Sequence, residues 1–168
     1  MKAALKFLGF CVVAVVVMAM VGAGLPQKHL VTRTKSFAAP PERVWSALLS
    51  IRQLPYDRSD LRAVDQGVAT APPTVIEVVG SPVAITFDTF RPPRTLVVRT
   101  TEPDVAYGGT WTFEFELETA QITKVTVTEE AEVRGRLLRF AVRTFGLDDT
   151  LIEGVFRAVK RKLVETPS

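Results

Sequence analysis

The chain has 168 residues, with 21 basic and 18 acidic residues, one histidine and one cysteine. That length suits one domain with its own hydrophobic core and is short for two. Setting aside Lys2 and Lys6 of the leader leaves 19 basic against 18 acidic residues, a net of +1, so charge gives no support to nucleic-acid binding.

Residues Phe7 to Leu25 contain no charged residue and include the run Cys11-Val12-Val13-Ala14-Val15-Val16-Val17. Residues 1–25 therefore read as a targeting or anchoring segment, and residues 26–168 as the folded domain. As a signal peptide, the segment has a basic start, an apolar middle and a tolerable cleavage site at Val21-Gly22-Ala23. As an uncleaved anchor, it approaches the ~20 apolar residues that span a bilayer. It also exceeds the ~7–15 of an ordinary signal-peptide core, which favours the anchor. The expected location is the cell membrane, with a single-pass anchor at residues 7–25 and the domain on the extracytoplasmic side. Secretion after cleavage is the alternative. Lys2 and Lys6 support that orientation, and Lys28, Arg33 and Lys35 count against it. Cys11 lies in this segment, so the domain has no thiol and is held by its core alone. Phe10, beside it, stands where a lipoprotein signal requires a small residue.

After Pro26 a short strand is expected from His29 to Ala38. Ala39-Pro40-Pro41-Glu42 then opens a helix, because proline suits the first helical position and an acid the first turn. Val44, Trp45, Leu48, Leu49 and Ile51 form its apolar side. Leu54-Pro55-Tyr56-Asp57 ends it and begins a second, very short helix. Six strands follow: Leu61–Val68, Thr74–Val79, Val83–Phe90, Thr95–Thr101, Thr110–Glu118 and Thr123–Val133. Each is rich in Val, Ile, Thr or Phe and is bounded by turn residues. Arg91-Pro92-Pro93-Arg94 is one turn, and Gly108-Gly109 reads as another. From Gly109 to Glu118 the pattern alternates, with Trp111, Phe113, Phe115 and Leu117 pointing to one side.

From Arg136 to Glu165 the period becomes helical. Leu138, Val142, Phe145, Ile152, Phe156, Val159 and Leu163 share one side of a continuous helix, and Arg136, Arg143, Thr150, Gly154 and Arg161 the other. Gly146 breaks or kinks the helix, and Thr150 with Glu153 has capping-box spacing that suits a restart there. Antiparallel strands cannot bury one face unaided, and the long terminal helix is the only element large enough to cover it. The expected fold is α+β: a curved antiparallel sheet of about seven strands gripping a long C-terminal helix, with two short helices after the first strand.

Four stretches resemble the START-like or Bet v 1-like superfamily, in particular its polyketide cyclase/dehydrase-type branch. They are Phe37-Ala38-Ala39-Pro40-Pro41-Glu42-Arg43-Val44-Trp45, Gly109 to Phe113, Thr126 to Val133, and the closing Phe145-Gly146-Leu147-Asp148 helix up to Leu163. The resemblance spans roughly residues 29–165. It implies a helix-grip fold and a cavity between sheet and helix for an apolar ligand. Some members catalyse cyclisation or dehydration, and fold alone does not fix the chemistry.

If the last two strands form a hairpin, Trp111, Phe113 and Phe115 align with Val125 and Val127. Glu129 then falls on the same apolar side. A carboxylate there must be paired, protonated or wet. The plain expectation is that Glu129 reaches solvent or an arginine such as Arg99 or Arg139, and ligand contact is the alternative. Asp148 and Asp149 are expected to be loop or cap residues, or polar handles facing the sheet if the helix runs through them. Tyr56, Trp45 and Tyr107 could reach the cavity mouth, although Trp45 fits the core better. The candidate ligand contacts are Trp111, Phe113, Tyr107, Tyr56, Phe87 and Glu129 from the sheet side, and Phe145, Asp149, Ile152 and Phe156 from the helix. His29 is expected to be exposed, with no partners for a metal or nucleophile pair, and no phosphate loop is present. No metal, cofactor or catalytic residue is expected. Arg134, Arg136, Arg139 and Arg143 form either a solvated face or a contact for anionic headgroups.

Three functions compete. The first is a binding module for a lipid-like or other hydrophobic small molecule. The second is a cyclase or dehydratase with Glu129 or Asp149 as general base. The third is an envelope protein that acts through a protein partner. Ligand identity and oligomeric state cannot be read from these residues, because apolar burial is non-directional.

Overall fold

The structure, a computed structural model, describes residues 2–51, 61–63, 75–78, 81–100 and 107–165. The chain begins with helix α1 (Lys2–Gly24), then β1 (Lys28–Phe37) and α2 (Pro41–Leu49). β2 (Leu61–Ala63), β3 (Val75–Val78), β4 (Ser81–Arg91), β5 (Thr95–Thr100), β6 (Tyr107–Thr119) and β7 (Ile122–Val133) follow. Helices α3 (Arg136–Phe145) and α4 (Leu147–Glu165) close the chain. The expected second short helix near Tyr56 lies outside the described residues.

The strands form one antiparallel sheet in the order β1-β7-β6-β5-β4-β3-β2. Five strands of six residues or more carry its main surface, and short β3 and β2 extend it beyond β4. Side chains alternate across the pleat, so rows of residues cross the strands on one face. Val31, Glu129, Trp111 and Val98 make one such row, and Arg33, Val127, Phe113 and Leu96 the next. This inner face is the one that the helices cover, and the alternation of β6 and β7 assigns it directly. The turn after β4 closes with the Arg94 N–H donating to the Arg91 carbonyl at 2.7 Å.

Helix α2 follows Pro40 and has Pro41 in its first turn, as the Ala-Pro-Pro-Glu start requires. Its buried residues Val44, Trp45, Ala47 and Leu48 join the main core, where the Trp45 ring meets Phe115 with centroids 5.2 Å apart. The buried Thr123 hydroxyl donates to the Ala39 carbonyl at 2.7 Å, tying the start of α2 to β7. At the other end Arg43 donates to the Leu163 carbonyl at 3.2 Å, so α2 also braces α4.

Three features differ from the sequence expectation. Gly108 and Gly109 are not a turn but lie within β6, opposite Glu132 and Ala131 of β7. Gly109 has φ +154°, and a Cβ there would collide with the Glu130 carbonyl, so close strand approach explains the glycine. Leu117 does not join the core and is 61% exposed, because the β6–β7 register shifts between Leu117 and Thr119 as the hairpin closes. The terminal helix is two helices. Gly146 adopts the left-handed conformation that ends α3, and α4 restarts at Leu147, three residues before the expected Thr150. Thr150 is then inside a helix and donates back to the Gly146 carbonyl at 3.2 Å.

The break also redraws the apolar faces. Val142 and the α4 residues Ile152, Phe156 and Val159 are buried, whereas Phe145, at the end of α3, is 68% exposed. Gly154 was expected on the solvent side and is buried together with Val155 and Ala158. Helix α4 packs on α2 as well as on the sheet, so its apolar belt is wider than one stripe.

Candidate functional site

The residues expected to contact a ligand fall into three groups. Trp111, Phe113, Ile152 and Phe156 come together in the core beneath α4, each at 0–1% exposure. Side chains so completely covered border no space that admits a water molecule. At these positions the inner face of the sheet is closed. Trp111 and Phe113 stack along β6 with centroids 6.1 Å apart, and Phe156 meets Phe37 edge-on at 6.0 Å.

Glu129 joins them. Its side chain is 0% exposed, in the row between Val31 and Trp111. The expectation that it reaches solvent is therefore wrong, because β7 continues through Ala131 to Val133 and carries the cover past it. Arg99 bridges Asp88 at 2.5 Å, and Arg139 donates to the carbonyls of Leu25 at 2.9 Å and Arg134 at 3.4 Å. A fully buried carboxyl group is uncommon in a protein interior, and among the described residues Glu129 is the one carboxylate so covered.

Asp149 and Phe145 lie elsewhere. Asp149 is in the first turn of α4, where an acid suits the helix dipole, and its carboxylate meets Arg33 of β1 at 2.7 Å with both side chains nearly half exposed. It is neither a loop residue nor a handle inside the core. One turn on, Glu153 meets Lys35 at 3.4 Å, and the Lys35 ammonium lies 5.6 Å from the Phe156 ring centroid. These pairs hold the long helix to the β1 edge of the sheet. Phe145 is turned to the surface because α3 ends beside it.

Phe87 is placed by register opposite Val98, and Tyr107 opens β6 opposite Val133. Tyr56 lies outside the described residues. His29 is half-buried opposite Ala131, not exposed as expected, because its parity on β1 is that of the inner face. Among the described residues no group of three or more His, Cys, Asp or Glu side chains is placed to hold a metal ion.

An open cleft of about 530 Å³ lies near the junction of leader and domain, lined by Lys28, Leu30, Arg99, Thr110, Glu130 and Arg134 among others. Leu30, Thr110 and Glu130 occupy one row of the opposite, outer face. Two of its arginines are engaged: Arg134 meets Glu132 of the lining at 3.1 Å, and Arg99 is held by Asp88. Such a lining does not suit an apolar guest. Sequence reasoning did not anticipate this cleft, because outer-face strand residues look like ordinary solvated positions.

The family described as polyketide cyclase / dehydrase and lipid transport matches residues 28–166. No curated protein matches the chain. Solved structures with similar folds include a conserved protein from Geobacillus kaustophilus, with TM-score 0.59 and 15% identity, covering 82% of this chain and 96% of that one. A START superfamily protein from Mycobacterium smegmatis aligns with TM-score 0.55 and 14% identity, over 82% of this chain and 98% of that one. Norcoclaurine synthase from Thalictrum flavum, in complex with dopamine and hydroxybenzaldehyde, aligns with TM-score 0.58 and 12% identity, over 84% and 89%. At these identities the structures establish the helix-grip fold alone. The family match over the whole domain settles the lineage: the chain belongs to the polyketide cyclase / dehydrase and lipid transport family, with the fold of the START superfamily protein.

Proposed function

We propose that this chain is a membrane-anchored carrier domain that holds a lipid-like small molecule against the inner face of its sheet. Family and fold support the coarser statement, a domain for hydrophobic ligands. One observation supports the finer one: among the described residues, the helices make their main sheet contacts with β1, β7 and β6 and not with β5 to β2. Helix α4 runs closest to β1, α2 and α3, while the sheet continues through β5 and β4 to β3 and β2. A guest therefore sits past the closed stretch of Trp111, Phe113 and Val98, toward the β4 and β3 side of the sheet. Pockets of this kind are mostly apolar with few polar groups.

The anchor reading rests on α1. Its span Lys6–Gly24 has 19 residues and is 6% buried, with Phe7, Phe10 and Val13 among its exposed side chains. At ~1.5 Å per residue, that span approaches the ~30 Å of a bilayer core. A helix from the core of a soluble protein would be covered by its own chain, and this one is not. A signal sequence would pass the same test, but Gly22, within the candidate cleavage site, is buried against α3.

The test uses the full chain purified in mild detergent, with native mass spectrometry and displacement of a fluorescent fatty acid. The expected result is a one-to-one complex with energy transfer from Trp111, lost in Trp111→Phe and kept in Trp45→Phe. A protein with no bound mass and no displacement overturns the reading. A second reading, cyclisation or dehydration with Glu129 as general base, is favoured by the enclosure of that carboxyl. Unchanged turnover of a polyketide-like substrate by Glu129→Gln would exclude it.

A further inference from the structure

We infer that α3 lies in the headgroup layer of an anionic bilayer, as a second lipid contact beside α1. The inference rests on the anchor reading of α1 and adds to it a face of the folded domain that touches lipid.

Helix α3 reads Arg-Leu-Leu-Arg-Phe-Ala-Val-Arg-Thr-Phe and contains no acidic residue. At ~100° per residue, Arg136, Arg139 and Arg143 share one side, and Leu137, Ala141 and Phe145 lie together on a flank away from them. The domain uses only part of this helix. Val142 and Arg139 are buried, while Leu137 is 46% exposed and Phe145 68% exposed. Arg136 and Arg143 are exposed too. A short helix with a basic side and an uncovered apolar flank is the composition of an interfacial helix.

Its position in the molecule specifies the occupant. The Arg136 carbonyl packs on Gly22 in the last turns of α1. Arg139 donates to the Leu25 carbonyl at 2.9 Å and Arg143 to the Lys28 carbonyl at 3.4 Å. Helix α3 thus runs beside the point where the apolar run leaves the bilayer, starting level with Gly22. Guanidinium groups there are at the depth of lipid phosphates, which they bind with paired hydrogen bonds. Leu137 is carried to the acyl edge, where apolar side chains gain, and Phe145, about 12 Å further along α3, to the outer part of the headgroup layer.

The experiment reconstitutes the full chain, in a Cys11→Ser background, into vesicles of phosphatidylcholine with or without phosphatidylglycerol. Single cysteines at Leu137, Phe145, Leu117 and Val16 carry a fluorophore, and brominated lipids and aqueous iodide serve as quenchers. The expected result is that labels at 137 and 145 are quenched by lipid brominated near the headgroup, and the label at 117 by iodide alone. Replacing both exposed arginines, Arg136→Gln with Arg143→Gln, should lower the docked-to-undocked ratio on phosphatidylglycerol on the order of tenfold. Arg139 is left intact because it holds the leader in place. Quenching at 16 from the bilayer centre, with 137 and 145 behaving like 117, overturns this inference and leaves the anchor standing. Absence of bilayer quenching at 16 overturns both. Shielding of 137 and 145 from both quenchers means that protein covers the face, and also overturns it.

Discussion

The carbonyl oxygen of Arg136 occupies the space that a Cβ on Gly22 would need. Helices α1 and α3 are thus in backbone contact through a residue without a side chain. Gly22→Val must push α1 and α3 apart or distort the link between them. Overpacking of this kind costs about 1–3 kcal/mol. Limited proteolysis should show faster cleavage near Leu25 to Lys28 in the variant, and thermal unfolding should begin earlier. Unchanged proteolysis and melting would mean that the two helices do not pack in the protein as purified.

Phe113 and Leu117 look alike in the alternating strand, yet one is 0% and the other 61% exposed. Phe113→Ala should cost about 3–5 kcal/mol through lost burial and an unfilled cavity. Leu117→Ala should fall within about 0.5 kcal/mol of the parent. Denaturant midpoints of the two variants test whether the inner face stops where the register shifts.

Arg33 and Asp149 connect the β1 edge to the first turn of α4 at 2.7 Å, both partly exposed. A double-mutant cycle with Arg33→Ala and Asp149→Ala should give a coupling of about 0.2–1 kcal/mol that shrinks as salt is added. A coupling several times larger would mean that the pair is more enclosed than its geometry shows.

The hydrogen bond from Lys124 to Glu116, and then the charge of that carboxylate, hold the Lys124 ammonium above its ordinary 10.5. A group raised in the folded state adds stability that is complete below the unfolded value and is lost as pH climbs through the folded one. The stability difference between parent and Lys124→Met should therefore be flat up to about pH 10.5 and shrink above it. NMR titration of the lysine side chain would show its midpoint moving back in Glu116→Gln.

Much of the fold was legible in the residues because its signals are local. Period-two alternation assigned the inner faces of β6 and β7, and the Ala-Pro-Pro-Glu start located α2. The expected strands from β4 to β7 lie within a few residues of the observed ones. The site was less legible. Glu129 was assigned to the correct face, but its complete enclosure depends on what lies above the strand, which one strand's pattern does not contain. Asp149 changed role because one left-handed glycine moved the helix start by three residues. Phe145 followed from the same break.

The sequence by itself determined the apolar N-terminal helix, the α+β order and the apolar side of the main strands, because backbone propensity and side-chain parity are set by neighbours along the chain. Only the tertiary structure decided that α4 is covered on two sides, that Trp111 and Phe113 are fully buried, and that α3 rests against the end of α1. Those outcomes depend on how rigid elements of fixed length approach one another through close-packed side chains. Residues far apart in the chain, such as Gly22 and Arg136, meet only once every element between them has been placed.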